Sequence, residues 1–150
     1  MNCLVDVFNY ISETIAEECP DMDIVKTFPA DLTEFPIARP TVSIGIDSAK
    51  YPFRGGLFLR TNALFDKYYG INTECVFKFN ICLPKTMSGI DLYSAFDEVA
   101  NACLSLEEVV IINISAGSIH YDRIMGAIVL EATITLNAEL TSVKPREVAR

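Results

Sequence analysis

The sequence predicts an α+β fold: a mainly antiparallel sheet with two amphipathic helices packed on one face and a long loop or hairpin insertion between central strands. Three observations carry that prediction. Residues 2–19 and 88–106 repeat apolar side chains at helical spacing. Residues 41–47, 73–83 and 127–140 alternate apolar and polar with the period of a half-buried strand. The alternation leaves one strand face polar, as an antiparallel sheet covered on one side by helices requires. The 150 residues, 51% hydrophobic and 21% charged, suit one domain with a substantial core that needs no disulfide or metal to fold. That domain is expected over residues 1–140, with residues 48–72 as the insertion and residues 141–150 as a flexible C-terminal tail.

In the first helix, Leu4, Phe8, Ile11 and Ile15 fall at i, i+4, i+7 and i+11, with Asp6, Asn9, Glu13, Glu17 and Glu18 largely off that stripe. Pro20 ends it. Residues 24–28 have the length and composition of a short strand stopped by Pro29, and Pro29, Pro36 and Pro40 punctuate an irregular connector. Val42, Ile44 and Ile46 then share a strand face against Thr41, Ser43, Gly45 and Asp47. Phe77, Phe79, Ile81 and Leu83 do the same against Val76, Lys78, Asn80 and Cys82, until Pro84 closes the run. Ser88, three residues before Asp91, is placed to cap a second helix whose seam is Leu92, Phe96, Val99, Cys103 and Leu106. Residues 109–115 and 119–122 read as two strands separated by a turn at Ala116, Gly117 and Ser118. The longest strand follows, with Ile128, Leu130, Ala132, Ile134, Leu136, Ala138 and Leu140 on one face and a face that is polar from Glu131 onward. The predicted order is helix, three strands, helix, three strands, with no internal repeat.

Composition narrows the function. The apolar stretches, such as residues 109–112, fall far short of the ~20 residues that span a bilayer. The N-terminus lacks the basic and continuous apolar regions of a signal peptide, so a cytosolic origin is expected. A formal net charge of −8 repels a phosphate backbone and makes nucleic acid a poor main partner. The charge is unevenly distributed. Residues 1–35 carry eight acids and one base, residues 36–85 three acids and seven bases, and residues 86–142 eight acids and one base. A basic middle segment in an acidic chain suits a head-to-tail contact between identical subunits, although solvated charges also fall unevenly by chance.

Five cysteines without a C-x-x-C pair, beside one histidine, argue against zinc and read as reduced packing residues. His120 and Asp122 share a strand face and could form a general-base pair, the alternative being a hydrogen-bonded strand histidine beside a turn. The adjacent acids Glu17-Glu18, Asp97-Glu98 and Glu107-Glu108 occupy helix surfaces or ends, where solvated carboxylates are ordinary. No nucleophile elbow, zinc-helix, P-loop or dinucleotide motif occurs. No catalytic, cofactor-binding or metal-binding residue is assigned, and the chain is not expected to be an enzyme.

Residues 48–72 need a different explanation. This stretch holds six of the 15 aromatics together with Lys50 and three further bases. Aromatics and arginines are enriched at protein-protein contacts, and a loop this long is usually functional. The candidate interface residues are Tyr51, Phe53, Arg54, Phe58, Arg60, Phe65, Lys67, Tyr68 and Tyr69. The other possibility is a hairpin turning at Arg54, Gly55 and Gly56 with its aromatics against the domain's own core.

The arrangement over residues 2–140 resembles the tail terminator or tail-completion proteins of tailed bacteriophages and phage-tail-like particles. The features that carry the likeness are the N-terminal helix, the strand after a proline-containing connector, the loop-bearing hairpin, the capped helix at residues 88–106, and the hairpin from Ile119-His120-Tyr121-Asp122-Arg123 into residues 127–140. The resemblance implies a subunit that forms a ring, often a hexamer, at the head-proximal end of the tail tube. It implies as partners further copies of the chain, the tail tube protein and a neck or head-tail connector protein, with no membrane partner and no cofactor. The implied location is the tail or neck of a virion or phage-like particle made in the bacterial cytoplasm. The alternatives are another neck or head-completion subunit, and a small ligand-binding or enzymatic α+β domain using His120 and Asp122.

Overall fold

The computed structural model describes residues 1–26, 37–51, 57–61 and 67–141. The chain runs α1 (Leu4–Glu18), β1 (Asp23–Val25), β2 (Thr41–Lys50), β3 (Leu57–Thr61), β4 (Lys67–Pro84), α2 (Gly89–Cys103), β5 (Val109–Asp122) and β6 (Ala127–Thr141). The strands form one six-stranded sheet in the order β1-β2-β4-β6-β5, with β3 paired to β4 beyond the end of β2. All pairings are antiparallel except β1 with β2.

The predicted alternation is what the register uses. Ile44 lies opposite Phe79, which lies opposite Ala132, and Val42, Ile81 and Leu130 form the next row across the sheet. These rows, with Cys75, Phe77, Leu83, Ile134 and Leu136, face the two helices and make the main core. Phe77 is fully buried, and its ring stacks on Phe8 of α1 with centroids 6.3 Å apart and planes 15° apart. Burying each such side chain contributes about 1.5–3 kcal/mol. The fully buried face of α1 is Val7, Ile11, Ser12 and Ile15, with Leu4 and Phe8 at its margin. Ser12 is admitted because its hydroxyl donates to the Phe8 carbonyl at 2.8 Å. Tyr10 ties the layers together: its hydroxyl oxygen accepts the backbone N–H groups of Glu107 and Glu108 at 2.8 and 3.3 Å, where the chain enters β5.

The capping prediction holds in detail. Ser88 Oγ accepts the Asp91 N–H while the Asp91 carboxylate accepts the Ser88 N–H at 2.8 Å, a reciprocal box that starts α2. The helix ends at Cys103, earlier than expected, and Leu106 completes the buried seam from the following turn.

Three expectations are corrected. The strand order is four before α2 and two after it, because β3 forms inside residues 48–72 while residues 109–122 make one strand. Ala116, Gly117 and Ser118 are not a turn: the register between β5 and β6 shifts between Ala116 and Ile119, so the ladder continues through a bulge. A Cβ on Gly117 would stand 3.0 Å from the Glu131 carbonyl oxygen, so glycine here marks a close approach of backbones. Finally, Thr41 and Ser43 are buried, because that end of the second sheet face carries its own small core of Cys82, Met125, Ala127 and Val129 with Val25 and Ile37. The Ile37 N–H donates to the Met125 carbonyl there at 2.9 Å. The predicted strand at residues 24–28 is seen as β1, with residues 27 and 28 outside the described residues, as are residues 142–150 of the expected tail.

Candidate assembly surfaces

Residues 48–72 become the end of β2, all of β3 and the start of β4. Leu57 pairs with Ile71, Phe58 with Gly70, Leu59 with Tyr69, Arg60 with Tyr68 and Thr61 with Lys67, forming a hairpin. Among the described residues the pairing of β6 with β4 reaches to Gly70, residues 67–69 have β3 alone beside them, and the hairpin extends past the end of the main sheet as an arm. The antiparallel ladder closes with Thr61 opposite Lys67, and Arg54, Gly55 and Gly56 of the hairpin reading lie outside the described residues. Of the candidate interface residues, Phe58 and Arg60 lie in β3 and Lys67, Tyr68 and Tyr69 in β4. Tyr51 is exposed just after β2. Phe53, Arg54 and Phe65 lie outside the described residues.

Two apolar side chains of this arm are in solvent: Tyr69, 44% exposed, and its cross-strand partner Leu59, 51% exposed. Leu59 is absent from the sequence-derived set, which was built on aromatics and arginines. Its signal is a leucine in a strand with no helix to cover it.

A second apolar surface follows β5 and the adjoining flank of α2. Ile119 and Tyr121 of β5, on the helix side of the sheet, and Ile90, Tyr93 and Leu104 of or beside α2 are exposed, while Val110, opposite Asn137, is exposed on the other sheet face and Ile112 sits at a bulge. The sequence showed the cue in residues 109–112, an unbroken apolar run that alternation cannot place on one face. Ile90, Tyr93 and Leu104 likewise sit off the buried seam of α2.

The chemistry-bearing residues do not converge. His120 lies opposite Val129 on a strand segment where Ile119, His120 and Tyr121 are all exposed, and among the described residues no hydrogen bond orients its imidazole. Asp122 is engaged elsewhere: its Oδ1 accepts the N–H groups of Ile124 and Met125 at 2.9 and 3.0 Å, shaping the turn into β6. Four of the five cysteines are buried, and desolvation pushes the Cys75 thiol up to about 11 and those of Cys82 and Cys103 up to about 12. These are packing thiols, held protonated and unreactive at neutral pH. Among the described residues no cluster of three or more His, Cys, Asp or Glu side chains is arranged to hold a metal. An open cleft of about 240 Å³ between the end of α1 and α2 is lined by Asp21, Met22, Asp91, Ser94 and Glu98, and of these Asp91 already serves the helix cap. No helix among the described residues is long and apolar enough to cross a membrane.

No protein-family profile and no curated protein matches the chain. Among solved structures, its fold resembles the sheath/tube terminator of an extracellular contractile injection system, PVC, determined by cryo-electron microscopy in the extended state. The TM-score is 0.52 at 12% identity, covering 93% of this chain. The chain spans 57% of the length of that terminator chain. The likeness is therefore one of fold.

Proposed function

We propose that this chain is a structural ring subunit of a phage or phage-like particle, which ends the tail tube at its head-proximal end and offers the opposite face to a neck or connector protein. It acts through its surface. The observation that carries this reading is the fold likeness over nearly the whole chain to a terminator of sheath and tube. Two features of the molecule support it. The β3–β4 arm reaches past the sheet with Leu59 and Tyr69 in solvent, and β5 with the α2 flank presents a second apolar strip. Grouped exposed apolar side chains of this kind are characteristic of protein-protein contact sites. The titratable residues, by contrast, are scattered, turn-forming or buried as neutral thiols.

Electron microscopy of particles made with and without this chain tests the reading. Tubes of unregulated length in its absence, restored to uniform length on complementation, are the expected result. Tails of normal length attached to heads in its absence would refute it. Tubes of normal length that fail to join heads would move the chain to head completion.

A further inference from the structure

The sheet has two open borders on opposite sides. On one, β5 pairs with β6, and among the described residues no strand covers its outer edge. On the other, β4 carries β2 and, beyond it, β3, whose outer edge is likewise uncovered among the described residues. Edges of this kind template pairing with another chain unless lysine, proline or short length protects them. The 14 residues of β5 contain no lysine, arginine or proline. Its two bulges interrupt the ladder at Ile112 and at residues 117–118, yet residues 113–116 and 119–122 keep regular register with β6.

Beside that edge lies the outer flank of α2. A Cβ on Gly89 would stand 3.9 Å from Ile119 Cδ1, so the helix begins directly over β5. Asp91, Ser94 and Glu98 line the cleft on the α1 side of the helix. With 3.6 residues per turn, Tyr93 and Asp97 project from the other side, and Leu104, 76% exposed, follows in the same stripe. Tyr121, 50% exposed, continues the apolar strip on β5. Asp97 on the helix, and Glu107 and Glu108 ahead of β5, are exposed carboxylates bordering the strip, and Arg123 is an exposed base beyond its Tyr121 end. The arm on the opposite border carries two bases by sequence, Arg60 in β3 and Lys67 at the start of β4, while Lys50 at the end of β2 lies opposite Glu74.

We propose that the β5 edge and the α2 flank receive the β3–β4 arm of a second copy of this chain, so that the sheet continues from subunit to subunit. The contact is head-to-tail: an arm carrying Arg60 and Lys67 as well as apolar Leu59 and Tyr69 meets an apolar strip bordered by Asp97, Glu107 and Glu108, and repeating it around an axis closes a ring. This inference rests on the ring reading above and adds which two surfaces meet.

The test uses the full chain in two charge-reversed forms, Arg60→Glu with Lys67→Glu on the arm, and Asp97→Lys with Glu107→Lys on the strip. Sedimentation velocity over a concentration series, and microscopy on tubes of the particle, read self-association, while circular dichroism melting checks that each form is folded. Each form alone should associate about tenfold more weakly than the wild type or worse. An equimolar mixture should recover association, because each faulty arm then meets a strip of opposite charge; so should the chain carrying all four changes. If each form associates as the wild type does, or the mixture recovers nothing, the pairing of these surfaces is wrong. Rings with normal tube capping by both single forms would reject the pairing and leave the terminator reading intact. A wild type that never associates, in solution or on tubes, would reject both.

Discussion

Cys19, Cys75, Cys82 and Cys103 are buried, and in each the largest effect on the thiol is desolvation, which raises it above its ordinary value of 9.0. The Asp122 carboxylate adds to the effect at Cys82, and the Glu74 carboxylate at Cys75. A folded-state pKa above the unfolded one means that the native state keeps its protons longer, so this contribution to stability is complete below pH 9 and is lost as pH rises toward 12. Urea unfolding followed against pH should therefore show stability declining above pH 9. At pH 8 a thiol-alkylating reagent should modify exposed Cys3 readily and the other four only after unfolding, as counted by mass spectrometry. Thr73 presents the opposite case. It is fully buried opposite Ala138 in β4, and its hydroxyl oxygen has no hydrogen-bond partner among the described residues. An unsatisfied buried hydroxyl is costly, so Thr73→Val, which keeps the shape, should raise stability by about 1 kcal/mol in denaturant titration.

At the scale of elements, the Ser88–Asp91 box satisfies two backbone donors at the start of α2, and Ser88→Ala should cost about 1 kcal/mol in thermal unfolding. The bulge in β5 depends on Gly117. Gly117→Val puts a branched side chain where a single Cβ already meets the Glu131 carbonyl oxygen at 3.0 Å, and a loss of about 1–3 kcal/mol is expected. Much of this level was legible in the sequence. Both helices, β2, β4 and β6 follow their apolar periods because each buries one face in the main core, and only one end of the three strands buries its second face as well. One segment is misread and one is left open by the sequence, each for an identifiable reason. Gly117 and Ser118 carry the residue types of a turn, and only pairing with β6 shows that the extra residues are absorbed as a bulge. In residues 57–61 the apolar pattern is five residues long and competes with glycines and aromatics on both sides, so hairpin and loop were indistinguishable until β4 supplied a partner strand.

For the whole molecule, the arm and the β5 strip lie outside the core, so changes there should separate assembly from folding. Leu59→Ser with Tyr69→Ser removes two exposed cross-strand neighbours. Melting should move little, since exposed substitutions usually cost within about 0.5 kcal/mol, whereas assembly onto tubes should fall. Loss of thermal stability with normal assembly would show that the arm serves the fold instead. The resemblance to tail terminators was readable from element order, because order survives when individual residues diverge, and the solved terminator shares the fold at only 12% identity.

The residues by themselves determined the α+β class, the helix cap, the inward face of the long strands and the placement of cysteines in the core, since periodicity and local hydrogen bonding are written along the chain. Which strands became borders was decided only in three dimensions. Whether Ile119, Tyr121 or Leu59 faces core or solvent depends on the neighbour that does or does not cover it, and that neighbour is set by sheet order among residues far apart in sequence. The surfaces through which this protein is proposed to act are therefore properties of the folded sheet.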